Sequence, residues 1–125
     1  MAPDRSSSQE RPENQLPLRP VEVLILTMLA AGDRHGYGIR QDIIDHTGGA
    51  IELEAGGLYR HIRRLEAAGA VEESGRRPAR DTDDERRIYY RLTPFGRRLL
   101  GAEMLRLRAL VRLAEQRRII SPAAT

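Results

Sequence analysis

Hydrophobic residues recur along this chain with the spacing of a helix in four stretches and with the alternation of a strand in others. The first stretch, residues 21–31, is apolar nearly all round, which predicts a helix set in the interior. Pro17 and Pro20 bracket its start, since proline loses no needed hydrogen bond in a first turn, and Gly32 is placed to stop it. The turn Asp33-Arg34-His35-Gly36-Tyr37-Gly38 opens a second helix to about residue 46, with Ile39, Ile43 and Ile44 as one inward stripe and Gly48-Gly49 as its end. Ile51-Glu52-Leu53 alternates as a short strand does.

Residues 55–68 are the third helical stretch. Leu58, Ile62 and Leu65 recur at i, i+4 and i+7 and share one face, while Arg60, Arg63, Arg64 and Ala67 fall on the other. Gly69 stops this helix, Val71 begins a strand, and residues 75–86 hold no apolar residue larger than alanine. Residues 87–93 are rich in strand formers, and alternation turns Ile88, Tyr90 and Leu92 inward and Arg87, Tyr89 and Arg91 outward. Residues 71–93 therefore predict a hairpin with a long charged tip. Thr93-Pro94 supplies a hydroxyl cap and a proline for a last helix running to about residue 120. In it Leu100, Met104, Leu107, Val111 and Ala114 step by 4, 3, 4 and 3, a heptad-like seam widened by Leu110 and Leu113. A lone helix with such a seam has little of its own chain to pack on, which predicts a homodimer joined there.

The 125 residues suit one small domain, mainly α with a small β-hairpin. Residues 1–16, with Ser6-Ser7-Ser8 and Pro3 and Pro12, read as a disordered tail; 17–93 as the folded domain; 94–120 as the dimerisation helix; and 121–125 as a second tail. With no cysteine there is no disulfide, thiolate metal site or cysteine nucleophile. The longest apolar run is far too short to span a bilayer, and the polar N-terminus lacks the apolar core of a signal peptide, which predicts a cytoplasmic chain with no membrane partner.

Charge sharpens the picture. All 21 basic side chains are arginine, whose fork bonds phosphates and guanine edges in pairs. Residues 1–54 carry five arginines against nine acids, residues 55–98 eleven against seven, and residues 99–125 five against two. A basic middle and tail behind an acidic front predicts one-sided attraction to a polyanion. Three helices, the third basic on its outer face, followed by a hairpin, is the order of a winged helix-turn-helix, whose third helix enters the major groove while the wing follows the backbone. Double-stranded DNA is then the expected partner, with Tyr59, Arg60, His61, Arg63 and Arg64 on the helix and Arg76, Arg77, Arg80, Arg86 and Arg87 on the wing as candidate contacts.

The run at residues 24–31, His35-Gly36-Tyr37-Gly38, Gly57-Leu58-Tyr59 with Arg64-Leu65-Glu66 and Gly69, and Tyr89-Tyr90-Arg91-Leu92-Thr93-Pro94-Phe95-Gly96 together resemble the PadR family of bacterial transcriptional regulators, over roughly residues 20–120. The resemblance implies a homodimer of winged-helix domains at the bacterial nucleoid, repressing from pseudo-palindromic operators and, in many members, released by a small molecule. Two departures stand out. Gly57 replaces the family's common threonine, and no tryptophan is present to stack a flat effector.

Other constellations carry less. Asp42 and His46 have two-ligand metal spacing but no third ligand, so neither a metal nor any other cofactor is expected. His35 reads as a turn or capping residue with a phosphate contact as the alternative, Tyr37 as a core or interhelix residue, and Tyr59 either as a phosphate contact or as partly packed. No nucleophile or acid–base pair stands out, so no enzyme is expected. A protein-docking winged helix would carry large apolar groups on its third helix where this chain has arginines, and a sequence-blind nucleoid binder would show no preferred site.

Overall fold

The computed structural model describes residues 11–51, 53–75 and 88–123. Among them the chain forms four helices, α1 (Pro20–Ala30), α2 (Gly36–His46), α3 (Ala55–Ala67) and α4 (Pro94–Gln116), and three strands, β1 (Arg34–His35), β2 (Val71–Glu73) and β3 (Tyr89–Leu92). The sheet is antiparallel in the order β1-β3-β2, with Arg34 opposite Tyr90 and Val71 opposite Leu92.

The apolar stripes build one core. Ile25, Leu26 and Leu29 of α1, Ile39 and Ile43 of α2, and Leu58, Ile62 and Leu65 of α3 are buried together with Ala70, Val71, Tyr90, Leu99 and Leu100. The expected stops hold: Gly32 and the Gly48-Gly49 pair take positive φ, as a glycine can after a helix end. Thr93 caps α4 in two directions. Its hydroxyl accepts from the Gly96 amide at 2.9 Å and donates to the Gly69 carbonyl at 2.6 Å. Gly96 itself sits against the Ala70 carbonyl so closely that a Cβ there would overlap it.

Four expectations are corrected. The tail expected through residue 16 is shorter, since Pro12–Gln15 form a turn of 3-10 helix against α4 and Leu16 packs on the core. Ile51 and Leu53 lie outside any strand, Glu52 falls outside the described residues, and the third strand is Arg34–His35. Tyr37 is 56% exposed and stacks beside His35, with ring centroids 6.2 Å apart. The last helix ends at Gln116: the Ile119 amide reaches back to the Ala114 carbonyl and the Arg118 amide to the Glu115 carbonyl, with Arg118 at φ 60. That double closure is a left-handed helix stop made without glycine.

A buried acid joins the two ends of the described chain. Glu103 of α4, 1% exposed, accepts from the Leu18 amide at 2.9 Å and from the Arg106 guanidinium on both oxygens. The Arg106 hydrogen bonds, with help from Leu18, hold its carboxyl below the usual glutamate value against the opposing effect of burial.

Candidate nucleic-acid interface

α2 and α3 form the helix-turn-helix, and local bonds set the turn between them. His35 caps α2, its Nδ1 accepting from the Gly38 amide at 3.0 Å, and the ring stands edge-on to Tyr89 of β3. Arg40 donates to the Leu53 carbonyl just ahead of α3, fastening the entry of that helix to the one before it. Gly36 leaves room for Tyr59, since a Cβ at 36 would overlap the tyrosine hydroxyl. Tyr59 thus packs against the first turn of α2 and remains partly exposed, on the flank of α3 that faces the hairpin.

The helical period divides the α3 arginines. Leu58, Ile62 and Leu65 face the core, and Arg60 and Arg63 stand exposed on the far side, making no hydrogen bond or ion pair with a described residue. Arg64 is corrected from the outer-face reading, and His61, a candidate contact, sits beside it on the flank of the helix. Glu22, 4% exposed on α1, accepts on a single oxygen from His61 Nδ1 at 2.9 Å and from Arg64 Nε at 3.1 Å. Both therefore lie on the flank that meets α1, engaged by the protein itself. The signal for this was present, an acid inside an otherwise apolar helix, but the sequence reading gave Glu22 no partner.

Between α3 and the hairpin lies a cleft of about 480 Å³ lined by Tyr59, Ile62, Arg63, Glu66, Glu73, Ile88 and Tyr90. Burial, reinforced by Glu66, Tyr59 and Glu73, pushes the Tyr90 hydroxyl up to about 12. Burial and then Glu73 raise the Glu66 carboxyl as well, with Arg63 opposing. Along the hairpin Arg91 pairs with Glu72 across the strands at 2.7 Å. The wing arginines Arg76, Arg77, Arg80, Arg86 and Arg87 and the acidic run Asp81, Asp83, Asp84 and Glu85 lie outside the described residues.

On α4 the expected seam divides too. Leu100 is corrected: it is buried in the chain's own core. Met104, Leu110 and Val111 are exposed, and Leu107 and Ala114 are half-buried. Leu107 borders an apolar groove of about 350 Å³ with Leu18, Pro20, Val23, Leu24 and Ile51. Of the weaker constellations, Asp42 pairs with Arg34 at 3.3 Å, and His46 Nδ1 lies 2.9 Å from the Asp42 carbonyl. Among the described residues no helix is long and apolar enough to cross a membrane.

Three packed helices, a two-residue strand from the turn after the first, and a hairpin flanking an arginine-bearing third helix define a winged helix-turn-helix protein. The model of the transcriptional regulator PadR-like family matches residues 25–102, and the chain belongs to that family. A relative in Lysinibacillus sphaericus, an uncharacterized protein, is 30% identical over 81 residues, covering 65% of this chain and 72% of the relative. Among solved structures, a transcriptional regulator from Clostridium thermocellum superposes with a TM-score of 0.64 at 26% identity, covering 77% of this chain and 87% of that one. A PadR family transcription regulator from Clostridium difficile shares the fold with a TM-score of 0.66 at 23% identity, covering 77% and 95%. Bacillus subtilis PadR, solved in complex with operator DNA, shares it with a TM-score of 0.58 at 24% identity, covering 70% of this chain and 48% of that one. The protein is a transcriptional regulator of the PadR-like type.

Proposed function

We propose that this regulator is a homodimeric repressor that binds an inverted-repeat operator in duplex DNA, with α3 in the major groove and the wing on the backbone. The observation that carries the reading is the exposed pair Arg60 and Arg63 on the outer face of α3, neither of them hydrogen-bonded or ion-paired to a described residue. Guanidinium forks are the side chains that bond guanine edges in pairs. The operator complex of the structural neighbour supports the same use of the fold. Tyr59 and the wing residues Arg76, Arg77, Arg80, Arg86 and Arg87 join the reading as backbone contacts.

Assembly follows from the other end. The apolar side of α4, with Met104, Leu110 and Val111 exposed and Leu107 and Ala114 half-buried among them, supports pairing of two copies about a two-fold axis. Such a dimer would set two α3 helices one or more DNA turns apart, which is why the operator should be an inverted repeat. Action in the bacterial cytoplasm, without a bound cofactor and under the control of a small molecule, is carried into this proposal from the family resemblance. The test is in vitro selection of bound duplexes from a random pool. An enriched inverted repeat supports the reading, and a pool that stays random after repeated rounds refutes it.

A further inference from the structure

We propose that Glu22, though it touches no DNA, is a positioning residue for sequence readout: it fixes the rotation of α3 about its own axis. The inference rests on the reading of α3 as the groove helix. Three observations carry it. Glu22 is a carboxylate buried to 4% exposure on a helix otherwise given over to the apolar core. One of its oxygens takes both donors, His61 Nδ1 at 2.9 Å and Arg64 Nε at 3.1 Å. Those donors stand three residues apart on α3, on the flank away from the hairpin, so the grip spans nearly a full turn.

Stability alone does not explain the arrangement. A buried ion pair is often no more stabilising than an apolar side chain of the same volume, whereas directional bonds select one geometry. The three leucine and isoleucine contacts on the inner face of α3 tolerate a small roll of the helix, because dispersion contacts have no direction. The grip does not tolerate it. With side chains reaching about 5–6 Å from a helix axis, a roll of about 20° carries their tips about 2 Å. Hydrogen bonds to base edges fail over that distance. Glu22 thus holds Arg60 and Arg63 at their angle to the groove from inside the protein.

The experiment compares Glu22→Leu, Arg64→Met and the double variant for binding to a duplex enriched by selection on the wild-type protein and to random duplex, across a salt series. Glu22→Leu is expected to lower the ratio of enriched to random affinity about tenfold, a loss on the scale of one base contact. Affinity for random duplex and the slope of log K against log salt should stay at wild-type values, because no phosphate contact is removed. Arg64→Met should lower the ratio similarly, and the double variant no further, as partners in one grip are not additive. A folded Glu22→Leu protein with an unchanged ratio overturns the proposal. So does a salt slope lowered by about 0.9 in Arg64→Met, which would make Arg64 a phosphate contact. If Glu22→Leu does not fold, Glu22→Gln serves: its neutral oxygen accepts in the same place but more weakly. The ratio should then fall about threefold, a loss below that of a full base contact, and no fall overturns the proposal. Arg60→Ala separates the two readings. If it leaves the ratio intact, the groove role of α3 fails; if it collapses the ratio while Glu22→Leu does not, only the role of Glu22 fails.

Discussion

On α3 the surface turned away from the core carries Arg60 and Arg63, while on α4 beyond Glu103 one exposed side carries Met104, Leu110 and Val111 and another carries Arg108 and Arg112. Both helices bury one stripe in the same core, through Leu58, Ile62 and Leu65 on one and Leu99 and Leu100 on the other. Periodicity alone does not tell their exposed sides apart. Chemistry does: guanidinium groups suit phosphates and base edges, whereas protein interfaces are depleted of charge at their centre. One fold therefore carries two surfaces of different chemistry, and under the proposed roles the two should fail differently when altered.

The largest effect is expected on α4. Leu107→Asp would bury a carboxylate without a partner at the proposed seam, costing several kcal/mol of dimer stability. Sedimentation should show a monomer, and operator affinity should fall on the order of a hundredfold or more although α3 is untouched, because half of the site is lost. A dimeric Leu107→Asp protein with normal binding would move the interface elsewhere.

A smaller effect is expected on α3. Arg60→Ala should cost about 1–3 kcal/mol on the preferred duplex and relax preference at one position of it. Dimerisation should be unchanged in this variant. Added salt separates the faces further, because DNA affinity should fall with a slope of about 0.9 per phosphate contact while the apolar seam holds. A seam that dissociates with salt as steeply as DNA binding weakens would erase the distinction.

The smallest effect concerns the root of α4. The Glu103 carboxyl lies below its ordinary value of 4.5 because Arg106 and the Leu18 amide bond its charged form. A depressed folded value adds stability that is complete above the unfolded value and is lost as pH falls through the folded one. Thermal melts of the wild type should thus lose stability below about pH 4.5 more steeply than those of Glu103→Gln. Parallel curves would remove Glu103 from that account.

Much of this was legible in the sequence where a signal was local. The stripes at Ile39 and Ile43 and at Leu58, Ile62 and Leu65 give the helices and their inner faces, and Thr93-Pro94 gives the start of α4 to the residue. What was not legible depended on partners distant in the chain. Two residues, Arg34 and His35, have no alternation to reveal a strand, and only β3 makes them one. Arg64 looks the same in sequence whether it meets solvent or Glu22, 42 positions earlier. Leu100 belongs to the heptad by spacing and to the core by the path of the helix. Arg118 stops α4 in a conformation that usually signals itself by glycine.

The hydrogen bond from Leu18 to Glu103 closes a ring across 85 positions of chain. Closing a ring that long is no great burden beyond closing a medium one, since the entropy lost grows only with the logarithm of length. The bond holds only while both of its ends are in place, so it opens whenever the Leu18 segment lifts from α4. Pro17 and Pro20 have no amide hydrogen of their own, so within this short stretch the Leu18 proton is the one held by α4. Its exchange with deuterated solvent is a clock for the lifting of the N-terminal strap, one that runs while the core beneath remains shut.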